Sequence, residues 1–249
     1  MYAELKMELK TENLTYKKSS NLQGVIMEHI DPDYASVLHR NQQNPYSQCL
    51  IHEKEKDKCF WYIRTITREA YENMILPMSE LKSFGLKNIN GDIMIGDKTI
   101  NLCAPESLLE EFYQVPGPRF LNIEFQTPTS FKTNGQYVNY PDLRLIYSSL
   151  MRKYSAASNK IEMFDDETLD QLVSYSKISR YRLRTIDFPL EATKITGFCG
   201  NLSIYMRGTN TMARYARLLL KFGRYSGIGI KSAMGMGAVR FIERGEESD

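Results

Sequence analysis

The stretch Gly223–Arg240, GRYSGIGIKSAMGMGAVR, constrains this chain more than any other. Gly223, Gly227, Gly229, Gly235 and Gly237 fall within fifteen residues, with Arg224, Lys231 and Arg240 among them. Glycine has no Cβ, so such a run accepts positive φ and lets backbone amides come close to a ligand. Amides beside cations suit an anion such as phosphate. A helix-like run, Met212–Phe222, precedes the glycines and a strand-like run, Ala238–Ile242, follows them. Mononucleotide loops have the opposite order, and their spacing fails here as well. A Walker loop needs Gly-x-x-x-x-Gly-Lys-Ser/Thr, whereas Ile230 separates Gly229 from Lys231. A dinucleotide fingerprint from Gly227 would need glycine where Ser232 stands.

The charge around the glycines points to a polyanion. Between Asn201 and Arg240 lie Arg207, Arg214, Arg217, Lys221, Arg224, Lys231 and Arg240, and no acid. The whole chain is only +2, so the remainder is acidic. This asymmetry is the footprint of a nucleic-acid face, because an ordinary solvated helix mixes both signs.

The 249 residues suffice for one large domain or two ordinary ones, and 42% apolar residues suffice for a core. No window approaches the roughly twenty apolar residues that span a bilayer. MYAELKMELK at the N-terminus lacks the apolar region of a signal peptide. Cys49, Cys59, Cys103 and Cys199 show no paired spacing, so neither a zinc knuckle nor a disulfide frame is indicated, and the expected location is the cytoplasm. No cofactor and no metal site are expected. Asp165-Asp166-Glu167 reads as the first turn of a helix, where acids face the positive end of the dipole.

Glu4–Lys10 alternates strictly, which predicts a strand with Leu5, Met7 and Leu9 on one buried face. A helix follows from about Asn21 to Ile30. A second begins at Asp31-Pro32-Asp33, with Asp31 as N-cap and Pro32 at the first helical position, and ends near His39. Gln48–Glu53 and Phe60–Thr67 read as paired strands around the charged turn Lys54–Lys58. Arg68–Ser79 reads as a helix interrupted at Pro77, and Asp92–Leu102 as a strand pair around Gly96-Asp97. This β-α-β-β-α-β order is ferredoxin-like. Val115-Pro116-Gly117-Pro118 marks a boundary, after which the cycle restarts. Phe120–Phe125, the helix Asp142–Tyr154, Ile178–Pro189, Ile195–Met206, the helix Met212–Phe222 and Ala238–Ile242 form the second unit. On that last helix Arg214, Arg217 and Lys221 are expected on the exposed face. The fold class is α+β, with tandem domains over 1–116 and 117–249.

Four stretches resemble a known family, nearly end to end. They are Leu22-Gln23-Gly24-Val25-Ile26; Leu38-His39 with Pro45-Tyr46-Ser47; Phe125–Lys132 with Tyr140-Pro141; and Gly227–Gly237. In this order they resemble the repeat-RNA-processing endoribonucleases of CRISPR immunity, members of the RAMP superfamily. The resemblance implies two ferredoxin-like domains and metal-independent cleavage of a precursor transcript within each repeat, usually at the base of a hairpin. It implies products with a 5′-hydroxyl and a 2′,3′-cyclic or 3′ phosphate. The partner it implies is CRISPR repeat RNA. A multisubunit guide-RNA complex, and a monomer or a homodimer, stay open.

RNA carries its own nucleophile, the 2′-hydroxyl beside the scissile phosphate. The enzyme must align it, move two protons and stabilise charge on phosphorus. Imidazole suits the proton steps, because its unperturbed pKa of roughly 6.5 lies near working pH. His39 matches the family's catalytic position, and a helix C-terminus there would favour imidazolium; a plain C-capping role fits the same placement. Some family members carry a tyrosine where this chain has Met27, and a lysine after the histidine where Arg40 is the available cation. His29, Tyr34 and Arg40 are therefore the candidate helpers, although Tyr34 lies about 140° round an ideal helix from His39. The candidate RNA contacts are Gly227, Gly229, Lys231, Ser232, Gly235 and Gly237 of the loop, and Arg214, Arg217, Lys221 and Arg224 of the helix ahead of it. Arg180, Arg182 and Arg184 on one strand face would repel one another unless an anion or surface carboxylates relieve them. A non-catalytic RNA-binding subunit of a guide-RNA complex is the competing reading.

Overall fold

The computed structural model describes all residues except 12, 13, 42, 54–56, 88, 159–163, 192 and 244–249. Strand β1 (Tyr2–Lys10) leads to helices α1 (Ser19–His29) and α2 (Pro32–Arg40), then to the hairpin β2 (Tyr46–Glu53) and β3 (Lys58–Thr65). Asp31 caps α2 as its sequence demands, its Oδ1 accepting from the amides of Asp33 and Tyr34 at 2.9 and 3.0 Å. Most of the charged turn expected at Lys54–Lys58 lies outside the described residues.

Residues 68–80 are helical without interruption, as α3 (Arg68–Ala70), a π turn (Tyr71–Ile75) and α4 (Leu76–Glu80). Pro77 does not end the segment. The wider turn before it absorbs the missing donor and the ring clash that proline brings to an α-helix. After β4 (Ser83–Gly85), Asp92–Cys103 is a single strand, β5, and not the expected pair. Gly96-Asp97 forms a bulge there, since β5 pairs Lys98 with Met7 but Ile95 with Leu9. The sheet order β2-β3-β1-β5 is the ferredoxin-like one, with β4 added at the edge.

Helix α5 (Pro105–Gln114) leads to the second sheet. Its strands are β6 (Phe120–Thr129), β9 (Ser176–Pro189), β10 (Lys194–Met206) and β11 (Val239–Ile242), in the order β11-β6-β10-β9. Between β6 and β9 come the small hairpin β7 (Phe131–Thr133) and β8 (Gln136–Val138) and helices α6 (Leu143–Ala157) and α7 (Asp166–Tyr175). Helix α8 (Asn210–Ser226) precedes the glycine stretch. Two sheets with the same strand order, each carrying two helical crossovers, make up the fold.

Helix α8 joins the two halves. Its Phe222 packs on the second core and meets the ring of Tyr2 from β1, centroids 5.4 Å apart. Ser47 of β2 donates to the Tyr225 carbonyl at 2.7 Å. The expectation of one buried face on β1 is corrected: Glu4 is also buried, against Arg224 of α8, and so is Glu8, which pairs with Lys10 and Lys58. Glu4 accepts from Arg64 Nε at 2.6 Å and from Arg224 Nη2 at 2.7 Å. Burial alone would raise its pKa, but the two guanidiniums outweigh that and hold it down to about 2.

Candidate RNA-binding and cleavage site

Gly227 ends α8 with φ +66°, and the chain then folds back on the second sheet. Its amides are used inside the protein. Ile228 N donates to Gly237 O, Gly229 N to Ser149 Oγ, Ile230 N to Ser130 O, Gly237 N to Pro128 O and Ala238 N to Thr127 Oγ1, all at 2.8–3.1 Å. The stretch Phe125–Lys132 is thus the receptor for the glycine loop. A Cβ on Gly229 would stand 2.4 Å from Ser130 O, and one on Gly235, at φ +109°, 2.3 Å from Ser19 Cβ of α1. Glycine is needed at both positions because the protein itself approaches them, through backbone at Gly229 and through the Ser19 side chain at Gly235. Ala233, in a 3-10 turn at Ser232–Met234, belongs to the first core, so the loop ties the two sheets together. Among the described residues, the amides of Lys231, Ser232 and Ala233 at the start of that turn are left without a partner. Lys231 itself takes the left-handed conformation, φ +56°.

The loop forms one wall of a cavity of about 630 Å³. Gly229, Ile230, Lys231, Ser232, Ala233 and Met234 line that wall; Ser148, Ser149, Arg152 and Lys153 of α6 line another. Lys132 comes from β7, Gln23 from α1, and Asn41, Gln43 and Asn44 from the segment just past α2. Asn44 Oδ1 is buried there with no partner among the described residues. Lys132, Arg152 and Lys153 were missed in the sequence. Arg152 alone had a signal: it continues a stripe of Leu145, Ser148 and Ser149 at helical spacing, a face of α6 that is mostly polar where a core face would be apolar. Lys153 Nζ donates to Ser226 O, Gly227 O and Ser232 Oγ at 3.0–3.1 Å, and burial pushes its pKa down to about 7.

His39 stands exposed in the last turn of α2, two residues before Asn41 at the cavity. Its Nδ1 lies 3.0 Å from the Ala35 carbonyl. A carbonyl only accepts, so Nδ1 carries the proton and Nε2 is the nitrogen left for chemistry. His29 ends α1 in the same way, Nδ1 2.8 Å from Val25 O. Arg40 Nε donates to Ser36 O at 3.2 Å and the side chain is exposed. Tyr34 is a correction: it is 7% exposed, its hydroxyl is buried without a partner among the described residues, and burial pushes its pKa up. It packs the first core and presents no group to a substrate.

The basic helix also departs from expectation. Arg217 points inward, its side chain 5% exposed, with Nη1 donating to Pro116 O and Nη2 to Glu111 O and Val115 O at 2.8–3.0 Å. Arg214 Nη1 donates to Tyr113 O at 3.0 Å, so both arginines clamp the crossing between the sheets. Lys221 pairs with Glu111 and Glu243, Arg224 with Glu4, and Arg240 with Glu124. The acids absent from Asn201–Arg240 arrive from other elements and neutralise much of that charge. Arg180, Arg182 and Arg184 lie exposed on edge strand β9, with no ion pair among the described residues. Among those residues, no group of three His, Cys, Asp or Glu side chains is placed to hold a metal ion.

A CRISPR-associated endoribonuclease Cas6 of Streptococcus thermophilus is 34% identical over 221 residues, 89% of this chain and 90% of that relative. The chain belongs to the Cas6 family of CRISPR-associated endoribonucleases. A Cas6 of Mycobacterium tuberculosis is also 34% identical, over 88% of this chain and 70% of its own length. The Cas6 family model matches residues 123–239, from β6 through the glycine loop into β11. Among solved structures, a Cas6 product complex superposes with a TM-score of 0.81 at 20% identity, covering 97% of this chain and 99% of that one. A RAMP protein described as binding different RNA substrates gives 0.62 at 15% identity, covering 98% and 100%. These structural likenesses carry the fold. No helix among the described residues is long and apolar enough to cross a membrane.

Proposed function

We propose that this Cas6 chain cuts CRISPR precursor transcripts within the repeat by metal-independent acid–base chemistry, with RNA seated on the cavity between the glycine loop and the end of α2. The observation that carries the reading is the placement of His39. Its Nδ1–H is held by Ala35 O, and the segment that follows it lines a cavity whose cations are Lys132, Arg152, Lys153 and Lys231. The fixed tautomer leaves Nε2 to take the proton of the attacking 2′-hydroxyl or, once protonated, to give one to the departing 5′-oxygen. The two steps need opposite forms of an imidazole, so one histidine serves one of them. His29 and Arg40 are the helpers considered for the other. The partnerless amides at Lys231–Ala233 and the Lys231 ammonium offer donors for the phosphate as its charge grows.

Arg180, Arg182 and Arg184 supply a second contact, to the stem of a repeat hairpin, because among the described residues no ion pair neutralises their charge at β9. Support for RNA as the ligand includes a Cas6 of the same fold, solved both as a product complex and as a substrate-mimic complex. Incubation with the repeat RNA encoded beside the gene, in EDTA, tests the reading. Fragments ending in 2′,3′-cyclic phosphate and 5′-hydroxyl are the expected outcome. Cleavage abolished by EDTA and restored by a divalent ion would overturn the metal-independent mechanism.

A further inference from the structure

Helix α6 brings Lys153 beneath the glycine loop, where Nζ meets Ser226 O at 3.0 Å, Gly227 O at 3.1 Å and Ser232 Oγ at 3.1 Å. An ammonium has three N–H donors and no acceptor, so the three oxygens match the charged form one for one. A neutral amine has two donors and a lone pair, and one oxygen would then lose its donor. Ser232 is the acceptor able to adapt, since a hydroxyl rotates to donate as well as accept. The charge on Lys153 therefore decides where the Ser232 proton points. Beside the ammonium, Ser232 Oγ accepts, and its O–H is free for the cavity that Ser232 lines. Beside the neutral amine, that O–H is drawn inward.

We propose that Lys153 is a positioning residue for RNA: its ammonium aims the Ser232 hydroxyl at a phosphate in the cavity, so that RNA binding takes up a proton at Lys153. The proposal rests on the RNA reading of the cavity given above. Burial holds the free amine near 7, so the unbound protein is divided between its two forms around neutral pH. A phosphate nearby favours the charged one. Below that pH Lys153 is charged with or without RNA, and affinity is flat. Above it the free protein must first gain a proton, and Kd rises by up to about tenfold per pH unit. The other charged groups at the cavity are Lys132 on β7, Arg152 on α6 and Lys231 on the loop; His39 lies two residues before Asn41, which lines it.

The test measures binding of repeat RNA carrying a 2′-deoxy nucleotide at the cut site, at fixed salt, from about pH 6 to pH 9. For the wild type, Kd should rise at least about fivefold above pH 7, and calorimetry in two buffers of different ionisation enthalpy should show uptake of close to one proton. Lys153→Arg keeps a permanent charge and every other titratable group, so its Kd should change less than about twofold. Lys153→Met should bind more weakly than wild type at pH 6 and be equally flat. Circular dichroism melting shows whether each variant is folded; if the methionine variant is not, wild type and the arginine variant decide the matter. A wild-type Kd independent of pH, or the same slope in Lys153→Arg, would overturn the proposal. A wild type that binds no repeat RNA even at pH 6 would instead remove the RNA reading beneath it.

Discussion

Replacing Arg217 with methionine separates a structural clamp from an RNA contact. The guanidinium makes three bonds to carbonyl oxygens of Glu111, Val115 and Pro116, and its Nε lies 3.1 Å from Glu111 Oε1. Methionine fills a similar volume but leaves three carbonyls without that donor. Breaking a buried pair costs about 3–5 kcal/mol when the remaining charge is stranded. Glu111 keeps Lys221 at 2.8 Å, which places the loss at the lower end, about 3 kcal/mol. For a chain of this size that corresponds to a fall in Tm of about 6–12 °C. Urea unfolding followed by circular dichroism measures the loss, and repeat-RNA binding across a salt series below the new midpoint measures the contact. Lower stability with an unchanged salt slope is expected. Unchanged stability with a slope reduced by about 0.7–0.9 would mean that Arg217 reaches a phosphate after all, and would refute the clamp.

Acid should weaken the joint between the sheets. Glu4 has a folded pKa of about 2 against an ordinary value of 4.5, so its contribution is present above pH 4.5 and lost as pH falls toward 2. That shift corresponds to about 3 kcal/mol, and Glu4→Gln should flatten the acid limb of a stability–pH curve; an unchanged limb would remove Glu4 as its source. Gly235→Val should destabilise by about 2–5 kcal/mol through positive φ and the clash with Ser19, and weakened RNA binding at full stability would contradict this. Alanine at Arg180, Arg182 and Arg184 together should reduce the salt slope of hairpin binding by about 2–3 while leaving Tm within about 1 °C. An unaltered slope would return these arginines to a solvated strand face.

The repeated β-α-β-β-α-β order was legible because its signals are local: the alternation in β1, the Asp31-Pro32 cap and the apolar face of α6 each act within a few residues. The misreadings came from contacts that no local window contains. Gly96-Asp97 looks like a hairpin turn, yet β1 holds both flanks as one strand, and a Cβ on Gly96 would stand 2.6 Å from Lys10 Cε. The cations of α8 look unopposed in sequence because Glu4 lies 220 residues from Arg224 and Glu111 lies 110 from Lys221. The glycine loop was visible as a special backbone, but composition cannot tell whether glycine makes room for a ligand or for the protein itself. Here Ser130 and Ser19 occupy that room. Lys153 was illegible for a related reason: its partners are two carbonyls and a hydroxyl at the end of α8 and in the loop after it, more than seventy residues away, and no charge pattern announces them.

Single-turnover cleavage of repeat RNA in EDTA, comparing wild type with His39→Ala beside binding curves at the same salt, tests whether His39 carries proton transfer. His39 is exposed, and among the described residues its side chain bonds only to its own helix, so the substitution should leave the fold intact. The cleavage rate should fall by about 10²–10⁴ with RNA affinity changed less than about threefold, because one imidazole is a small part of a contact with many phosphates. A His39→Ala protein that cuts at the wild-type rate would remove His39 from the chemistry and pass the proton-transfer role to His29.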